Sequence, residues 1–151
     1  MKMQENLSEQ DMANPTFEVR GNYYKDKCFP GLNDMLREAE RHPQAYARMK
    51  RDFEYVAISS IRRDLRGYKA EGRVFLNYTF GEPNSGQKRD YDNIVAAGRK
   101  IITDALVKCK VIQDDSPKYL GYGENHFEYV SKPFIRVEIE VENPSVMEKE
   151  T

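Results

Sequence analysis

A chain of 151 residues suits one domain with a real core, and its 24 Lys and Arg against 25 Asp and Glu leave a formal net charge of −1, which argues neither for nor against nucleic acid. No apolar run approaches the roughly 18 residues of a membrane span. The two cysteines, Cys28 and Cys109, make no zinc spacing with His42 and His126. The polar N-terminus, MKMQENLSEQDMANP, lacks an apolar signal core, so a cytoplasmic protein is expected, with Cys109 a reduced core thiol.

The charges are unevenly spread. Between Arg48 and Arg73 stand eight basic residues (Arg48, Lys50, Arg51, Arg62, Arg63, Arg66, Lys69, Arg73) against four acids (Asp52, Glu54, Asp64, Glu71). The C-terminal end reverses the sign with Glu138, Glu140, Glu142, Glu148 and Glu150. One basic face and one acidic edge would attract phosphate locally, although the same pattern also suits a solvated helix surface.

Polar, aperiodic ends make residues 1–15 and 143–151 flexible segments around one domain at residues 16–142. Short strands are expected at Thr16–Val19 and Asn22–Tyr24, around Gly21. In FPGLNDMLREAERHP, Asn33 or Asp34 can cap a short helix, and Pro43 suits the first turn of the next. That second helix runs to about Arg66. Its apolar positions Tyr46, Met49, Phe53, Val56, Ala57, Ile61 and Leu65 recur at three- and four-residue steps as one buried stripe. Beyond a turn region at Gly67–Gly72, Val74–Phe80 is β-branched and aromatic and reads as a strand. GEPNSGQKR reads as a loop, Asp92–Lys108 as a third helix, and Gln113-Asp114-Asp115-Ser116-Pro117 as a second loop. Ile135, Val137, Ile139 and Val141 alternate with charged residues, giving a half-buried strand whose expected partner is His126–Val130. The order predicts an α+β domain, a mixed sheet with helices packed on one face.

Four acids carry the chemical signal. Asp90 and Asp92 open the third helix, and Asp114 and Asp115 follow its end. A helix of about 16 residues separates its ends by roughly 24 Å, so only a returning loop, the sheet or a partner chain can bring the pairs together. If they converge, the oxygen-rich pocket suits Mg²⁺ or Mn²⁺ and phosphodiester hydrolysis. The same residues also suit plain structural roles. Acids are favoured at helix starts, and Asp114-Asp115-Ser116-Pro117 is good turn chemistry.

The ordered string resembles a known family signature. Arg89, Asp90-Tyr91-Asp92-Asn93, Lys100, Asp104-Ala105-Leu106, Val111-Ile112 and Asp114-Asp115 are similar to the pattern of the RusA-type Holliday-junction resolvases. The motif spans about 30 residues; a preceding strand, a C-terminal strand and the PGLN segment also fit, and the likeness extends over residues 16–142. The resemblance implies a RusA-like fold and a homodimeric, Mg²⁺-dependent endonuclease that cuts four-way DNA junctions, often of phage origin. It implies Asp90, Asp92 and Asp115 as catalytic metal ligands, with Asp114 a further ligand or a water-orienting group. The family's helix lysine maps onto Lys100, one turn before Asp104, where it would bind the scissile phosphate or stabilise charge in the transition state. This sequence departs from the family by an extra turn, Val95-Ala96-Ala97-Gly98, between Asp92 and Lys100, and Arg99 competes for the basic role. Asn93, Lys100 and Asp104 fall within about 40° of one another around a helix and share a face. Lys88, Arg89, Asn93, Arg99, Lys118, Arg62, Arg63 and Arg66 are the candidates for contacts to DNA.

Other readings compete. A phosphatase with an Asp-x-Asp nucleophile would place that motif directly after a buried strand, whereas a basic loop precedes Asp90. A calcium loop would need a Gly five residues after Asp90 and a Glu at the twelfth position, and has neither. The remaining alternative is a non-catalytic DNA-binding or phage-accessory protein that retains the fold.

Overall fold

The computed structural model describes residues 13–20 and 28–142. The strand expected at Asn22–Tyr24, the tail at 143–151 and residues 1–12 of the N-terminal segment lie outside the described residues. The elements are β1 (Thr16–Arg20), α1 (Leu32–Arg41), α2 (Pro43–Leu65), β2 (Val74–Pro83), α3 (Tyr91–Lys108), β3 (Leu120–Val130) and β4 (Phe134–Val141). They form an α+β fold with one four-stranded mixed sheet in the order β1-β4-β2-β3.

Strand alternation decides which face the helices cover. Phe17 and Val19 of β1, Val74, Leu76, Tyr78 and Phe80 of β2, and Ile135, Val137 and Ile139 of β4 point to one side and are buried. Met35 of α1, the Met49–Phe53–Ala57–Ile61–Leu65 stripe of α2, and Ile94, Ile101, Ile102, Ala105 and Leu106 of α3 close the same core. The other sheet face carries Glu18, Asn77, Thr79, Arg136, Glu138 and Glu140, with the Phe75 and Phe134 rings lying under Arg73, Arg20 and Arg136. Gly98 lets α3 approach the sheet closely, since a Cβ there would stand 2.9 Å from the Phe80 ring.

Two expectations are corrected. The loop begins later than GEPNSGQKR implies, because Gly81, Glu82 and Pro83 continue β2 and pair with both neighbours or with β3 alone. The C-terminal strand does not pair with residues 126–130. β4 lies antiparallel between β1 and β2, while β3 is twice the expected length and runs parallel to β2 on its other side. The apolar alternation of β4 is buried best at the sheet centre, and the Gly121 and Gly123 positions that obscured the start of β3 belong to an edge strand.

Candidate functional site

The KRDYDN segment is held in place from both sides. Arg89 donates through Nε and Nη2 to the two carboxylate oxygens of Glu82, at 2.8 and 2.7 Å, and its Nη1 stands 3.4 Å from Asp34 of α1. Glu82 is only 8% exposed, so this is a bidentate pair taken largely out of water. Burial alone would lower the Arg89 pKa, but the Glu82 bonds and charge, with Cys28 and Asp34, outweigh it and hold the guanidinium above its ordinary range. Asp34 also accepts the Gly31 N–H at 2.9 Å, so it closes the start of α1 from the N3 position while Gly31, not Asn33 or Asp34, is the cap residue.

The second link is Asn93, whose Oδ1 accepts the Asn33 N–H at 2.7 Å. Gly31 makes room for it, because a Cβ there would lie 2.6 Å from the Asn93 amide. Tyr91 stacks on Phe127 of β3 at 4.1 Å and hydrogen-bonds Tyr129, whose phenol pKa it raises. The starts of α1 and α3 and the end of β3 therefore meet around Asp90. They enclose a cleft of about 710 Å³ beside it.

Asp90 is exposed at the N-cap position of α3, yet its side chain makes no capping bond. Asp92, in the first turn, is exposed too. At the far end, Val111 and Ile112 are buried and anchor the loop, and the Tyr119 and Leu120 amides both bond Ser116 O. Within that loop Asp114 accepts the Asp115 N–H at 2.8 Å, while the Asp115 side chain stays exposed. An 18-residue helix separates the two pairs by about 27 Å. Among the described residues, no three Asp, Glu, His or Cys side chains stand together as a metal would need. A Mg²⁺ or Mn²⁺ pocket made from Asp90, Asp92, Asp114 and Asp115 does not fit a single protomer.

The candidate cations divide into two groups. Arg99 points into the protein. It donates to Asn125 Oδ1 at 2.7 Å and to the carbonyls of Leu76, Gly123 and Glu124 at 3.2, 3.1 and 3.0 Å. Its guanidinium lies between the rings of Tyr78 and Tyr122, at 4.4 and 4.2 Å. Burial lowers its pKa, and the same enclosure pushes the Tyr78 phenol up to about 12. Arg63 holds β1 through the Glu18 carbonyl at 2.7 Å and pairs with Asp64. Arg89 and Arg99 are thus taken up by internal partners, whereas Arg63 stays 60% exposed beside Asp64 and Asn93 lines the cleft with its amino group unused by the Asn33 bond.

Lys100 belongs to the other group. It is 60% exposed and reaches Asp104 at 3.4 Å, a carboxylate that Lys50 of α2 shares at 3.2 Å. The Asp104 hydrogen bond raises the Lys50 pKa. One turn further on, Lys108 pairs with the buried Glu54. Lys88 donates to the Pro83 carbonyl and lies over the Tyr129 ring at 4.8 Å, and Lys118 lies over Tyr119. Arg62 and Arg66 are exposed at the end of α2, with Arg62 beside the half-buried Cys109 thiol. Lysines thus line the α2–α3 surface between the two acidic ends.

The internal roles of Glu82, Asp34, Gly31 and Asn125 carry no local sequence signal. No family model and no curated protein matches the chain. No described helix is long and apolar enough to cross a membrane.

Proposed function

We propose that the chain is a Mg²⁺-dependent endodeoxyribonuclease that resolves four-way DNA junctions as a homodimer. Each active centre would combine Asp90 and Asp92 of one protomer with Asp115 of the partner subunit. The observation that carries this reading is the condition of those carboxylates. All three are exposed and, among the described residues, have no ion-pair or side-chain hydrogen-bond partner; they stand at the two ends of one helix, and the Asp90 side chain makes no capping bond. Two α3 helices related antiparallel by a two-fold axis place each N-terminal pair beside the other's C-terminal loop, and so complete two equivalent centres. An all-oxygen donor set of this kind implies Mg²⁺ or Mn²⁺.

Lys50, Lys100 and Lys108 lie between the centres, where they would contact the backbone of bound DNA, with Lys88, Lys118, Arg62 and Arg66 beyond. Lys100, the most weakly held, is the cation best able to leave Asp104 for a phosphate. The acid-bearing sheet face turns away from this surface.

The separation of the acids within one protomer favours a second reading, a DNA-binding protein that keeps the fold without cleavage. Cleavage of an end-labelled synthetic junction in Mg²⁺, beside binding in Ca²⁺, separates the two. The nuclease reading expects cuts by the wild type, and at least a hundredfold loss in Asp90→Asn, Asp92→Asn and Asp115→Asn with the fold and binding intact, about the effect of losing one preorganised electrostatic group. Binding without cleavage selects the second reading. Absence of binding to any DNA removes both.

A further inference from the structure

The cleft beside Asp90 is not explained by the metal-ligand roles of its neighbours. Its volume, about 710 Å³, lies within the range of about 300–1,000 Å³ usual for a bound small molecule. Asp34, Glu82 and Asp90 line it together with Arg37, Lys88 and Arg89, so three acids balance three cations and the cleft does not select a bare anion. What it offers is one aromatic wall, Tyr129, 42% exposed, and the side-chain amides of Asn33, Gln87 and Asn93. Asn33 and Gln87 are exposed and, among the described residues, nothing bonds their side-chain amides, while Asn93 keeps its amino donors after its carbonyl accepts from Asn33. A ring face with amide donors and acceptors around it is the chemistry that recognises a flat, neutral, polar ring, as when an unpaired base stacks on an aromatic side chain and is read along its edge.

We propose that this cleft takes one unstacked nucleobase of branched DNA, next to the phosphate at Asp90. The inference rests on the nuclease reading, because that reading puts DNA at Asp90. A base at a branch point leaves its stack at less cost than one in a continuous duplex, so the cleft would add selectivity for branched over linear DNA. Lys88, now over the Tyr129 ring, would move to the flanking phosphate when the base arrives.

The test is a double-mutant cycle between protein and DNA. Binding in Ca²⁺ is measured for the wild type, Tyr129→Ala and Gln87→Ala on an intact junction and on junctions with one abasic nucleotide at each branch-point position. Gln87 lies in an exposed loop, so its substitution does not threaten the fold. Tyr129→Ala should weaken binding to the intact junction about tenfold, the usual worth of one base stacked on a ring. At one abasic position the penalty of both variants should disappear. Equal penalties on intact and abasic junctions at every position, or no penalty at all, overturn the inference while junction cleavage by the wild type leaves the nuclease reading standing. If the wild type binds no DNA, both fall.

Discussion

Arg99 donates to one side chain and three carbonyls while lying between two tyrosine rings, and it joins α3 to both β2 and the edge strand β3. Its removal leaves those acceptors without a donor in a half-buried place. Arg99→Ala should therefore lower stability by about 2–4 kcal/mol in urea unfolding, and Arg99→Lys should recover little, since an ammonium cannot reproduce the planar fork. Unchanged stability with weakened DNA binding would return Arg99 to the DNA surface. Sequence spacing alone places Arg99 about 100° from Lys100 around the helix, and that much is legible. The direction it points depends on Tyr78 and Tyr122, which come from two other strands. Arg89 is the same kind of case. Its partner Glu82 sits seven residues earlier across a loop that no periodicity connects. The exposure of Asp90, Asp92 and Asp115 is simpler to read, because a charged side chain at a helix start or in a polar loop is ordinarily solvated.

Strand β1 is short, five residues that pair, among the described residues, with β4 alone. Its second tether is Asp64 at the end of α2, which accepts the Glu18 N–H at 2.9 Å. The Arg63 hydrogen bond, aided by the Glu18 amide and the Arg63 charge, holds the Asp64 carboxyl below its ordinary value of 3.8 despite partial burial. A carboxyl lowered in the folded state contributes stability above its unfolded pKa, and that contribution is lost as pH falls through the folded value. Amide hydrogens of β1 should thus exchange faster relative to those of β2 as pH drops below 3.8, once the intrinsic rate is corrected. Asp64→Ala should produce the same loosening at neutral pH, about 1 kcal/mol. Exchange in β1 that ignores both changes would show that the Asp64 carboxylate does not tether it. The long helices and the alternating strand β4 were legible because their apolar period is local. The pairing of β3 was not. Its parallel register with β2 includes a shift between Leu76 and Tyr78, and its Phe127 packs against Phe80 and Tyr91, partners that lie in other elements.

At the scale of the molecule, α3 has a length that keeps its two acidic ends about 27 Å apart, and no side-chain movement closes that gap. The proposed centre of three acids would therefore need a second copy to complete it. The most direct measurement uses two inactive variants, Asp92→Asn and Asp115→Asn, coexpressed with different affinity tags so that the mixed dimer is purified through both. In a composite arrangement one centre of that dimer carries both substitutions, while the other joins the intact Asp90 and Asp92 of one protomer to the intact Asp115 of its partner. The mixed dimer should nick one strand of a four-way junction in Mg²⁺, although neither parent dimer should cut at all. A mixed dimer as inactive as its parents, beside a wild type that cuts, would contradict the composite arrangement.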